Sequence, residues 1–208
     1  PPRREEGRCE GEGDIFRLEL LGEWPGRYRA RKVIEERSDV ATGQLGERTA
    51  VIELEDVQSG KRAVLDAESI TNMRTGAAGA LGAQYLAREP VRRVAILGTG
   101  RVSRALALCA DRALRPVEIR ATSRKAENRE AFAAAVGPKV GCRLQMADSL
   151  RECVDGVCAV LTAAPTPRPI LRVEDVPAEA HLSVMGGDAR TSQLDLDLLR
   201  CRTVVVDH

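Results

Sequence analysis

Val94-Ala95-Ile96-Leu97-Gly98-Thr99-Gly100-Arg101-Val102-Ser103-Arg104-Ala105 is the stretch that decides the fold. Four apolar residues make a short buried strand, two glycines make a sharp reversal, and residues 101–112 then carry a helix pattern. Gly98 permits the tight turn. Gly100 lets the backbone approach a pyrophosphate. Ser103 stands where a third small residue lets helix pack on strand. The unpaired N–H groups that open any helix then face the phosphates. This is the dinucleotide-binding reading, with Gly98, Thr99, Gly100, Arg101 and Val102 at the cofactor. A bare Gly-x-Gly is a weak signal, and an ordinary strand-to-helix turn would give the same letters. The alternation of strands and helices downstream gives it weight.

Strands are expected at residues 117–122, 142–145, 157–161, 181–185 and 203–206, with helices at 125–136, 149–154 and 194–199. That rhythm means parallel strands joined by crossovers and covered on both faces. Residues 91–208 therefore read as a Rossmann-type, doubly wound α/β domain. Upstream, strands are expected at residues 15–21, 31–34, 49–54 and 63–65, the last two joined by the turn Gln58-Ser59-Gly60-Lys61. A helix is expected over residues 66–88, rich in small residues that suit close packing, and Pro90 ends it. Residues 1–90 thus read as part of a smaller α+β substrate and dimerisation domain.

The 208-residue chain has Lys+Arg 32 against Asp+Glu 31, and aromatics make up 2%. There is no basic block and little to stack on bases, so a nucleic-acid partner is not expected. No apolar run reaches the roughly 20 residues a membrane span needs, and residues 1–6 lack the apolar core of a signal peptide. The six cysteines are scattered without metal-ligand spacing, which predicts reduced thiols, no metal site and a cytoplasmic setting.

The end of the second Rossmann strand bears on the choice of cofactor. An acid there would bind the ribose 2′-hydroxyl of NAD. The sequence instead runs Ala121-Thr122-Ser123-Arg124-Lys125. Ser123, Arg124 and Lys125 can hold a 2′-phosphate, since a guanidinium matches phosphate geometry. NADP(H) is therefore favoured, with NAD(H) as the other possibility.

Leu65-Asp66-Ala67-Glu68-Ser69-Ile70-Thr71-Asn72-Met73-Arg74-Thr75-Gly76-Ala77-Ala78 adds a second pattern. With the glycine turn, Ser123-Arg124, residues 181–188, Gln193-Leu194-Asp195 and residues 204–207, it resembles the ornithine cyclodeaminase/mu-crystallin family. The resemblance implies hydride chemistry with NAD(H) or NADP(H) on an α-amino acid or its imine, in a homodimer. Arg74 matches the family arginine that binds the substrate carboxylate, a task for a bidentate guanidinium. Lys32 falls where the family has a substrate-pocket lysine. Asp188 matches an aspartate that manages the proton of the substrate amine. Glu19 sits at a spacing reminiscent of another pocket residue, and Thr75 adjoins Arg74. Thr162 and Pro165, after the strand at 157–161, are expected near the nicotinamide. His181 reads as a structural histidine at the start of a buried strand.

Known members continue beyond the segment at residues 204–207, so the chain is expected to hold a nearly whole dinucleotide half and an incomplete substrate half. The residues support two readings. One is an enzyme: a cyclodeaminase, an amino-acid dehydrogenase or a ketimine reductase. The other is a non-catalytic binder of NADP(H) and a small ligand, as attributed to mu-crystallin.

Overall fold

The computed structural model describes residues 4–9, 14–38, 45–164, 166, 168–185 and 192–206. The chain divides into two compact units, Pro1–Thr71 and Asn72–His208.

The first unit is an antiparallel meander of five strands: β1 (Arg4–Cys9), β2 (Asp14–Trp24), β3 (Tyr28–Ser38), β4 (Leu45–Asp56) and β5 (Arg62–Asp66). Four were expected as shorter pieces. β1 was not, because its segment Arg4-Glu5-Glu6-Gly7-Arg8-Cys9 carries no apolar alternation; pairing with β2 defines it instead. The β4–β5 turn is closed by Asp56, whose carboxylate accepts from the N–H groups of Gln58 and Ser59 at 2.9 and 3.0 Å. Strand alternation sorts the sheet into two faces. Leu18, Ile34, Ala50 and Ile52 share one, where they pack with Ala67. Arg17, Glu19, Arg31, Glu35 and Glu53 share the other.

The helix α1 (Glu68–Leu86) comes next, its first turn capped by Asp66, which accepts from the Glu68 N–H at 2.9 Å. The second unit is built on a five-stranded parallel sheet. Its strands are β6 (Arg93–Leu97), β7 (Glu118–Thr122), β8 (Arg143–Met146), β9 (Ala159–Thr162) and β10 (His181–Val184), in the order β10-β9-β6-β7-β8. Crossovers run through α2 (Arg101–Leu114), α3 (Ala126–Val136) and α4 (Leu150–Val154), and α5 (Leu196–Arg200) comes after β10. This is the expected doubly wound α/β domain. The central strands are buried on both sides, so they read as apolar runs. Val94, Ile96, Ala159 and Leu161 meet Ala80, Ala83, Leu106, Ala110, Phe132 and Val136 on one face. Ala95, Leu97 and Val160 meet Cys153, Val154, Leu171 and Leu198 on the other.

The strand expected at residues 203–206 does not form. No described strand pairs with it, and Val204, Val205 and Val206 stand exposed. A β-branched run becomes a strand only where a sheet edge accepts it. The cysteines described are free, and burial pushes the Cys153 thiol up to about 12. No helix among the described residues is long and apolar enough to cross a membrane.

Within the second unit, α1 lies against α2 and β10 through small residues. A Cβ on Gly76 would stand 2.6 Å from the Ala105 carbonyl carbon, and one on Gly79 2.6 Å from Leu106 Cδ2. The Ser183 hydroxyl donates to the Gly79 carbonyl at 2.8 Å, so Ser183 Oγ is left to accept from His181 Nε2–H at 2.9 Å. The ring is thus partnered as a structural histidine, and burial lowers its pKa.

This packing has two measurable outcomes. Gly76→Ala gains about 1 kcal/mol of helix propensity but meets backbone, which cannot rotate away, so we expect a net loss of about 1–2 kcal/mol in denaturant unfolding. Gly79→Ala meets only side chains and should cost less. The folded His181 value lies below the unfolded 6.5, so the unfolded chain takes the proton first. Stability is therefore held above about pH 6.5 and declines as pH falls below it. His181→Gln should show a shallower decline in unfolding free energy between pH 7.5 and 5.5 than wild type.

Candidate functional site

In the second unit the chain leaves β6 toward β7 on one side, while β9 pairs on the other. Such a reversal of strand order opens a crevice at the carboxyl ends of the strands, where open α/β sheets bind ligands. The Gly98-Thr99-Gly100 turn lies in that crevice. Gly98 adopts φ +100, a region that L side chains rarely enter, and its N–H donates to the Thr122 carbonyl at 3.0 Å. A Cβ there would meet Ser103 Oγ at 3.0 Å and Ala164 at 3.6 Å. The ends of β6, β7 and β9 are thereby drawn together.

A Cβ on Gly100, the residue that starts α2, would meet nothing within 4 Å. No side-chain hydrogen bond caps that first turn. Among the described residues, the buried side-chain nitrogens and oxygens without a hydrogen-bond partner are Ser103 Oγ and Arg104 Nε, both near the start of α2. Unmet buried polar groups are costly and rare. Their concentration beside an open glycine cradle at a helix N-terminus fits an anionic, hydrogen-bonding ligand such as a pyrophosphate. The residues present therefore fit a dinucleotide.

The other expected cofactor residues divide by what their side chains already do. Val102 packs against the core, which leaves its backbone N–H for a ligand. Arg101, Arg124 and Lys125 are exposed. The Ser123 hydroxyl donates to the Lys125 carbonyl at 3.2 Å. Thr162, at the end of β9, is fully buried, and its hydroxyl donates to Gln193 Oε1 at 2.6 Å. It shapes the crevice wall rather than offering a side chain to it. Gln193 was read only as part of a motif. Its backbone carbonyl also anchors the segment before the short helical turn Val173–Asp175, accepting from the N–H groups of Ile170 and Leu171 at 3.0 and 3.2 Å.

Arg74 is exposed on α1 and donates to Thr75 Oγ1 at 3.4 Å. Lys32 and Glu19 are both in the first unit, but the sheet separates them. Lys32 stands opposite Leu20 and Glu19 opposite Val33, so their side chains leave opposite faces. Lys32 shares the face of Ile34 and Ile52. Glu19 is held on the charged face by Arg31, with Nε to Oε1 at 2.6 Å and NH2 to Oε2 at 3.1 Å. That bidentate bond, chiefly, holds its carboxyl below the usual range. Spacing had grouped Glu19 with Lys32 as a pocket residue; the sheet sends the two side chains to opposite faces, and Glu19 is paired with Arg31 on its own face. Asp188 and Pro165 lie outside the described residues.

Comparison with known proteins agrees with this geometry. The sequence model of the ornithine cyclodeaminase/mu-crystallin family matches residues 26–208. A Rhizobium meliloti protein provisionally named a dehydrogenase is 34% identical over 69% of this chain and 44% of its own length. The L-lysine cyclodeaminase of Streptomyces rapamycinicus is 29% identical over 76% of this chain and 47% of its own length. Among solved structures, the Thermococcus litoralis Δ1-pyrroline-2-carboxylate reductase in complex with NADH and L-proline superposes with a TM-score of 0.83. It shares 22% identity over 95% of this chain and 62% of that one. The chain spans about half the length of the relatives it matches.

Gly100→Ala separates the fold from the site. With open space around the new methyl, the melting temperature should stay within about 2 °C, which at the roughly 2–4 °C per kcal/mol of a chain this size is less than about 1 kcal/mol. The methyl fills the cradle, so NAD(P)H affinity measured by fluorescence should fall by about tenfold or more. Unchanged affinity would remove the glycine turn from the cofactor site.

Proposed function

The chain belongs to the ornithine cyclodeaminase/mu-crystallin family, and on that footing we propose that it serves an NAD(P)-dependent enzyme acting at the Cα–N bond of a small α-amino acid or its imine. The observation that carries this reading is the open Gly98-Thr99-Gly100 cradle at the strand-order reversal, beside unpartnered Ser103 Oγ and Arg104 Nε.

Gly98, Thr99, Gly100 and the first N–H groups of α2, including those of Arg101 and Val102, would hold the pyrophosphate. Ser123, Arg124 and Lys125 would hold the adenosine end; with no carboxylate among them, NADP(H) is the favoured form. When bound, the nicotinamide supplies hydride exchange with the substrate Cα. Everything else falls to the chain's own residues. Arg74 takes the substrate carboxylate with a guanidinium already in the open, so binding breaks no ion pair among the described residues. The family resemblance assigns Lys32 a role in binding the substrate as well. Asp188 accepts the proton of the substrate amine and steadies the iminium cation, which is why a carboxylate serves better there than a neutral group. Fixing the imine carbon against its nitrogen partner provides much of the rate. That partner is the substrate's own side-chain amine in a cyclodeaminase; in a dehydrogenase, water attacks the carbon instead. A homodimer fits the exposed apolar side chains of the first unit, among them Leu21, Trp24, Tyr28 and Val64.

A panel of α-amino acids assayed for both ammonia and reduced cofactor tests the reading. Ammonia alone assigns a cyclodeaminase, ammonia with equimolar NAD(P)H a dehydrogenase, and neither product, together with no NAD(P)H oxidation by the corresponding imines, sinks the proposal. Arg74→Ala should raise KM by about a hundredfold, the worth of one charge-assisted pair of roughly 2–3 kcal/mol. Asp188→Asn should abolish turnover with dinucleotide affinity almost unchanged. Full activity in Asp188→Asn would reverse its assignment.

A further inference from the structure

The loop after β7 contains the residues expected to meet the adenosine ribose, and one guanidinium braces it from behind. Arg129, one turn into α3, donates through NH1 to the Ser123 carbonyl and through NH2 to Asp148 Oδ1, both at 2.8 Å. Its side chain is 16% exposed, whereas that of Asp148 is 89% exposed. The loop is sewn to the end of β8 by two more bonds. Thr122 Oγ1 donates to the Ala147 carbonyl at 2.8 Å, and the Ala147 N–H donates to the Ala121 carbonyl at 2.9 Å.

The brace acts in two ways, one geometric and one electrostatic. A trans peptide is planar, so its C=O and N–H point opposite ways. By fixing the Ser123 carbonyl toward α3, Arg129 turns the Arg124 N–H away from it and sets where the exposed Arg124 and Lys125 leave the backbone. Asp148, meanwhile, is an exposed carboxylate joined through Arg129 to the carbonyl of Ser123. An acid at the end of the second strand, where this loop begins, is what disfavours a 2′-phosphate, and Arg129 brings the Asp148 carboxylate of the neighbouring strand end within one side chain of that loop. Arg129 neutralises it.

We propose that Arg129 is a positioning and specificity-determining residue for the 2′-phosphate of NADP(H): it braces Ser123-Arg124 and masks the charge of Asp148. This rests on the NADP(H) reading and deepens it. The residue does not touch the reacting atoms; it acts through the loop it braces and the acid it pairs.

The adenosine halves alone, 2′,5′-ADP and 5′-AMP, test this by calorimetry on the full chain without any turnover. Wild type should bind 2′,5′-ADP more tightly than AMP. Arg129→Gln should weaken 2′,5′-ADP by about tenfold, the size of one lost charge-assisted contact, while AMP changes less than about twofold. Arg129→Gln/Asp148→Asn should recover part of that loss, because the unmasked acid is gone. Arg129→Lys, which keeps the charge but not the two-pronged reach, should fall between. A merely structural brace predicts something else: equal losses for both ligands, and no recovery on removing Asp148. Either that result or an unchanged ratio in Arg129→Gln overturns the proposal while leaving the NADP(H) reading standing. A wild type that binds the two ligands equally overturns the NADP(H) reading and this inference with it.

Discussion

The second unit depends on one backbone reversal. β6 ends at Leu97, the Gly98 N–H closes onto the Thr122 carbonyl, and at φ +100 the chain swings into α2. Any other residue would be strained there and would press its Cβ against Ser103 Oγ and Ala164. That one turn sets the direction of α2, the contact of β6 with the end of β9, and the open space above Gly100. Fold and site share a cause: the geometry that lets a helix return across the sheet also presents its unsatisfied N–H groups to the crevice.

The same turn explains why polar groups are left wanting where they are. A chain selected for stability alone would cap α2 with a side chain and fill the Ser103 position with alanine. Ser103 Oγ and Arg104 Nε instead lack protein partners in the buried start of α2. Elsewhere among the unit's described residues, buried polar side chains are satisfied within the chain, as in Thr162 with Gln193 and Ser183 with Gly79. Local rules broken at one place and kept at others make that place the candidate ligand site.

How much was legible in the sequence depends on what each signal encodes. The βαβ core was readable because doubly buried strands leave no choice but apolar runs, and because Gly98 and Gly100 carry backbone requirements. The packing of α1 was readable in outline from its glycines and alanines, though not which neighbour each would touch. β1 was not readable, because pairing alone defines it, and residues 203–206 misled because a valine run states a preference and not a partner. The site was legible where the backbone makes it and poorly legible where side chains do. No spacing rule indicates that Thr162 is consumed by Gln193, or that Arg129 reaches back to Ser123.

Glu19 and Lys32 show how narrow that margin is. The hairpin joining β2 and β3 turns through Gly26 at φ +71 and pairs Trp24 with Tyr28. With that register Lys32 lies across from Leu20 and Glu19 from Val33. A one-residue slip of that register would set Glu19 against Lys32 and Leu20 against Arg31 in one direction, or Glu19 against Ile34 and Leu20 against Val33 in the other, and would exchange the faces of one whole strand. Two residues thirteen positions apart therefore share a site or oppose each other according to a turn neither belongs to. The apolar face decides between the registers, since only the observed one stacks Leu18, Ile34 and Ala50 in line against Ala67. Core burial thus assigns Lys32 to the apolar face and leaves Glu19 to bind Arg31, so the packing of the first unit decides which charged side chain stands on which face.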